Sequence, residues 1–145
     1  MAPSAAIEPR AELFAHGADI GVRGIAATRA SAFEQAARAL MMAVTEPDRI
    51  DPRSEIDIAC EASDDRFLLL DWLNALIYEM GVRRLVFGRF EVAIKDGRLN
   101  GKAWGEPIDS VRHTPAVEPK GATLTGLKVE QRVDGAWVAQ CVVDV

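Results

Sequence analysis

The groups best placed for chemistry are oxygen donors near the two ends of the chain: Asp19, Asp144 and the carboxylate of the terminal Val145. Hard cations such as Ca²⁺ or Mg²⁺ take several oxygen ligands, and these three could serve if the fold brings the chain ends together. His16 stands three residues before Asp19, and His113 and Lys120 lie in a long Pro-containing stretch between Pro107 and Lys120. Each has an ordinary reading as well. An Asp flanked by Gly17 and Gly21 reads first as a turn or capping residue, a penultimate aspartate as solvated, His16 as a structural histidine, and Lys120 after Pro119 as a surface charge.

Other chemistries lack their residues. With two histidines in all and no GxSxG, no nucleophile and base pair up. Cys60 and Cys141 alternate with apolar neighbours, have no CxxC or Cys/His spacing, and read as buried free thiols in a reducing compartment. Gly21-Val22-Arg23-Gly24 completes neither GxGxxG nor a P-loop, which leaves phosphate cradling unsupported. A net charge of −5 and a pI near 5.1 give no basic stripe for a phosphate backbone, so direct nucleic-acid binding is not expected. No window reaches the ~18 apolar residues of a membrane span, and Met1 to Arg10 lacks the apolar core of a signal peptide. The expectation is a cytoplasmic protein with no membrane partner.

The elements that must position these groups follow from periodicity. At 49% apolar and 27% charged residues, 145 residues suffice for one globular domain, 1–145, with residues 1–10 flexible. Ile20 to Ala26 reads as a strand. Ser31 and Glu34 offer a capping box for a first helix, with Phe33, Ala36, Ala37, Leu40, Met41 and Val44 at helical spacing before Pro47. Ile56, Ile58 and Cys60 alternate in a half-buried strand. A second helix is capped by Ser63, carries the stripe Leu68, Leu69, Trp72, Leu73, Leu76, Ile77 and Met80, and ends at Gly81. Leu85 to Trp104 forms a hairpin about Asp96-Gly97. A second Asp-Gly turn, Asp134-Gly135, precedes a strand with Trp137, Ala139, Cys141 and Val143 on one face. Hairpin-joined strands with two long helices predict an α+β fold, a single-domain two-layer sandwich in which a mostly antiparallel β-sheet packs against two amphipathic helices.

The order of motifs resembles the archease family. The likeness is carried by Phe14-Ala15-His16-Gly17-Ala18-Asp19-Ile20-Gly21, Ala32-Phe33-Glu34-Gln35-Ala36-Ala37, Leu68 through Tyr78, Lys120-Gly121-Ala122-Thr123, and the ending Val142-Val143-Asp144-Val145. Two departures accompany it. The family usually shows Thr where this chain has Gly17, and Lys-Ala-Val-Thr-Tyr-His where this chain has Lys120-Gly121-Ala122-Thr123-Leu124-Thr125. The resemblance implies a small cytoplasmic accessory protein, not itself an enzyme, that activates an RtcB-type RNA ligase. It would promote the ligase's metal- and GTP-dependent guanylylation and multiple turnover in tRNA splicing or RNA repair. It further implies that Asp19, Asp144 and the Val145 carboxylate bind a divalent metal ion, Ca²⁺ or Mg²⁺, and that Lys120 and His16 serve ligase activation. An acidic chain suits contact with a basic, nucleic-acid-handling enzyme better than contact with RNA.

Two other classes compete. One is a small-molecule-binding or chaperone-like interaction domain whose ligand sits between sheet and helices, which a large apolar pocket would support. The other is a metal-dependent hydrolase using Asp19 and Asp144 with His16 or His113 as base, which needs more convergent ligands than the sequence displays.

Overall fold

In the computed structural model residues 7–145 are described. Residues 1–6, most of the segment expected to be flexible, lie outside the described residues, while Arg10 already opens the first strand. The chain runs β1 (Arg10–His16), β2 (Asp19–Ala26), α1 (Arg29–Val44), β3 (Ser54–Glu61), α2 (Asp65–Arg83), β4 (Leu85–Lys95), β5 (Arg98–Pro107), β6 (Gly121–Ala122), β7 (Lys128–Gln131) and β8 (Trp137–Asp144).

The α+β class is as expected, but the strands form two antiparallel sheets instead of one. The first has the order β1-β2-β8-β6, with β7 also paired to β8, and the second has the order β3-β5-β4. The reason lies in the helices. α1 buries Ala32, Phe33, Ala36, Ala37, Ala39, Leu40, Met41 and Val44, a girdle too broad for one sheet to cover. It therefore packs on β1, β2 and β8 of the first sheet and on β4 of the second. α2 likewise touches β3, β4 and β5 on one side and β6, β7 and β8 on the other. Within this core Trp72 is fully buried, and its Nε1 donates to the Phe33 carbonyl at 3.1 Å, joining the helices.

Both helix starts differ from expectation. α1 is capped by Thr28, whose Oγ1 accepts from Ser31 N at 3.1 Å, and Glu34 instead accepts from Val92 N at 2.8 Å, closing a bond on β4. α2 is capped by Asp64, accepting from Arg66 N at 2.8 Å, in place of Ser63. Nor does Gly81 end α2. The helix continues to Arg83 and stops where Arg84 turns left-handed at φ 56°. The hairpin at Asp96-Gly97 is as read, with φ 51° and 74°, the pair of left-handed residues that a tight two-residue turn requires. The turn before β8 is wider, closed by Arg132 N donating to Ala136 O at 2.7 Å, and it leaves Val133 exposed.

Candidate metal and activation site at one end of the first sheet

The β1–β2 hairpin turns at Gly17, whose φ of 59° suits a residue without Cβ. This conformation explains why glycine stands there. The pairing runs from Arg10↔Ile25 to His16↔Asp19. β2 pairs with β8 from Ala26↔Trp137 to Ile20↔Val143, and the next step in that register brings Asp19 beside Asp144. Opposed residues of antiparallel strands present their side chains to one face, with Cβ atoms about 4.5–5.5 Å apart. His16, Asp19 and Asp144 thus form a row across three strands on the sheet face away from α1. β6 flanks the other edge of β8, with Gly121 opposite Asp144, and Lys120 N donates to Asp144 O at 2.8 Å. Every residue proposed from the sequence for this site, Val145 included, therefore lies at the same end of four neighbouring strands. His16, Lys120 and Asp144 are exposed, and Asp19 and Val145 half-buried.

The next rows along that face brace the acidic row. The Phe14 ring lies across Gly21, where any Cβ would collide with it. Arg23 stacks on Phe14 with its guanidinium carbon 4.5 Å from the ring centroid, donates to Gln140 Oε1 at 2.9 Å and pairs with Glu12 at 3.5 Å. Sequence reading passed over this brace, although the alternation Glu12, Phe14, His16 against Asp19, Gly21, Arg23 was its signal.

The donor set fits a hard cation: carboxylate oxygens from two neighbouring strands and the chain terminus. Among the described residues no three His, Cys, Asp or Glu side chains converge as a metal site. A cation at this end would therefore need the terminal carboxylate as a third oxygen-bearing group, and His16 shares the row without completing a side-chain triad.

His113 belongs elsewhere and is no candidate base. It is buried, its Nδ1 accepts from Asp109 N at 2.8 Å, and its Nε2 faces Glu106 Oε2 at 3.1 Å, which assigns the proton to Nε2. Glu106 is itself inaccessible to solvent and also receives Asp51 N at 2.6 Å, Arg53 Nη2 at 3.2 Å and Arg112 Nη2. Burial alone would raise its carboxyl. The bonds from Asp51, Arg112 and His113 overcome that and hold it at about 2. The network pins the start of the long stretch before Lys120 to β5. The thiols are equally unsuited to chemistry. Burial, with the Asp71 charge, pushes Cys60 up to about 11, and burial pushes Cys141 up to about 12 against a bond with Thr123 that lowers it.

The sequence pattern of the archease protein family matches residues 12–145, spanning both helices, both sheets and the acidic row. The chain belongs to the archease family. It is 42% identical over 138 residues to protein archease of Pyrococcus furiosus, covering 92% of this chain and 97% of that protein. Against protein archease of Methanopyrus kandleri the identity is 37% over 134 residues, covering 90% and 95%. A solution structure of Methanobacterium thermoautotrophicum protein 1598 superposes with a TM-score of 0.81 at 28% identity, covering 93% of this chain and 98% of that one. The archease fold is therefore common to both. Among the described residues no helix is long and apolar enough to cross a membrane.

Proposed function

We propose that this protein is a non-catalytic cytoplasmic activator of an RtcB-type RNA ligase, promoting the ligase's GTP-dependent guanylylation and multiple turnover in tRNA splicing or RNA repair. Its membership of the archease family supports that reading. The observation that carries the site is the register that sets Asp19 next to Asp144, with Lys120 hydrogen-bonded to Asp144 through its backbone. Asp19, Asp144 and the Val145 carboxylate would hold Ca²⁺ or Mg²⁺, and the bound cation would neutralise phosphate charge during nucleotidyl transfer.

The chain's own residues do the rest. Two like charges side by side on neighbouring strands repel in the free protein, so the row is poised to accept a cation. Binding through one oxygen each, the three carboxylates would supply three of the 6–8 oxygens that Ca²⁺ takes, and the open positions suit groups from water or from a docked partner. Lys120, exposed at the rim, supplies a cation for an anionic group of the ligase or its nucleotide. His16 sits opposite Asp19, able to donate to that carboxylate or to the partner. The acidic surface agrees with contact to the protein and not to its RNA.

The test is ligase guanylylation with GTP and divalent metal, comparing the ligase alone, with this protein, and with its Asp144→Ala variant. Stimulation by the wild type that the variant loses is expected. Absence of stimulation by the wild type overturns the activator reading. One observation favours the ligand-binding alternative: a pocket of about 340 Å³ between the end of α2, the start of β4 and residues 108–119, lined by Val44, Met80, Val86 and Ile108 but also by the charged Arg84 and Glu118. It is at the small end of the range for ligand sites. A protein that leaves the ligase unaffected but binds small apolar molecules there would fit that reading.

A further inference from the structure

We infer that Asn74 is a positioning residue for Lys120: its side-chain amide takes the place of a neighbouring strand on the open edge of β6, and thereby sets where Lys120 stands beside Asp144. The functional half of this inference rests on the activator reading; the structural half does not.

β6 is only two residues long, pairing Gly121 with Asp144 and Ala122 with Val143. So short a strand makes few ladder bonds of its own, and all of them lie on the β8 side. On its far side Ala122 would leave both its N–H and its C=O without a strand partner. Asn74, in the middle of α2, satisfies both: its Oδ1 accepts from Ala122 N at 2.8 Å and its Nδ2 donates to Ala122 O at 3.3 Å. The two bonds fix which way the amide faces, since the flipped form would set donor against donor. Asn is the one short side chain that carries a donor and an acceptor at the spacing of a peptide unit. Asp lacks the donor, Leu lacks both, and Gln is a methylene too long to sit in the same place. An Asn in a helix interior is a weak helix former, yet it stands here between Leu73 and Ala75.

The consequence reaches Lys120 over two residues. On the β8 side, Lys120 N donates to Asp144 O, Thr123 N and Oγ1 both donate to Val142 O, and Val142 N donates to Thr125 O. On the α2 side, Asn74 alone among the described residues bonds the segment. The acidic pair itself lies on β2 and β8 and does not depend on β6 for its register. Asn74 therefore acts on the lysine and leaves the aspartates where they are.

That asymmetry makes the test. Asn74→Leu keeps the size of the side chain and removes both bonds, while Asn74→Asp keeps the acceptor and sets a charge against the Ala122 carbonyl, so that one of the two remains measurable if the other fails to fold. Amide hydrogen exchange of the free protein should show Ala122 and Thr123 exchanging about tenfold or more faster in either variant, with amides of β2 unchanged. Ligase stimulation should fall several-fold, while affinity for Ca²⁺, measured by titration calorimetry, stays within about threefold. A double variant with Lys120→Ala should be no worse than Lys120→Ala alone, whereas a general loss of structure would add to it. Unchanged exchange at Ala122, or a stimulation loss that adds in full to that of Lys120→Ala, overturns the inference. If the wild type gives no stimulation, the activator reading fails, and the exchange rates alone then decide for or against the clamp.

Discussion

Replacing Glu106 by Gln should destabilise the protein by about 2–4 kcal/mol, and the structure says why the figure is neither smaller nor larger. Two of the four donors on this carboxylate, the Asp51 amide and the His113 ring, lose a charged acceptor in a site closed to water. Arg53 and Arg112 keep 62% and 48% of their side-chain surface in solvent, so their ion pairs are screened and add little. An unsatisfied buried group costs about 1–3 kcal/mol, and the glutamine amide must face at least one donor pair wrongly, whichever way it turns. For a chain of this size that is roughly a 5–15 °C fall in melting temperature. The pH dependence follows from the low carboxyl value of about 2, against an ordinary 4.5. A depressed carboxyl stabilises fully above its unfolded value and ceases to do so as pH falls through its folded one. The gap between wild type and Glu106→Gln should thus be constant above about pH 4.5 and close between there and about pH 2. Urea melts of both proteins at several pH values measure it. A variant within about 0.5 kcal/mol of wild type at pH 7 would refute the reasoning.

Asp144→Asn should raise the melting temperature of the metal-free protein slightly, by removing one of two like charges set side by side, and abolish any increment that Ca²⁺ gives the wild type; calorimetry with and without Ca²⁺ checks both signs. Cys60 and Cys141, held up near 11 and 12, should resist iodoacetamide at neutral pH, with half-buried Cys60 reacting before buried Cys141 as pH rises, as read by mass spectrometry. Gly24→Ala would drive a Cβ into the Ala32 carbonyl and Ala36 amide of α1, and should cost about 1–3 kcal/mol or more in a thermal melt; an unchanged melt would mean α1 can lift from the sheet freely.

Much of the fold was written in the periodicity. The α2 stripe, the alternation of Ile56 and Ile58, and the Asp96-Gly97 turn are local signals, and they were readable because each depends on neighbours in sequence. β1 was not read as a strand: its mixed, half-exposed residues make an edge strand with little apolar alternation. The helix caps slipped because Thr28 and Ser31, or Ser63 and Asp64, are chemically equivalent candidates, and only backbone geometry chooses between them. The second sheet was hidden for a different reason, since no local pattern records that α1 has covers on two sides. At the site, residue types were legible in Asp19 and Asp144, but their adjacency is a fact of register between distant strands. Glu106 gave no signal, and Asn74 only its place in the Leu68–Tyr78 motif with no hint of its role, because a polar residue bound to another segment's backbone looks in sequence like any other polar residue.

The central place of β8 also bears on how the molecule folds. β8 pairs with β2, whose residues come from the opposite end of the chain, and with β6 and β7 as well. Closing so long a loop is entropically slow, whereas the β4–β5 hairpin closes locally and β3 reaches β5 across a loop less than half as long. A chain without β8 in place would have no acidic row, because Asp19 and Asp144 become neighbours only through the pairing of β2 with β8. The row therefore exists only in chains whose two ends have met, and its presence reports that the first sheet is closed.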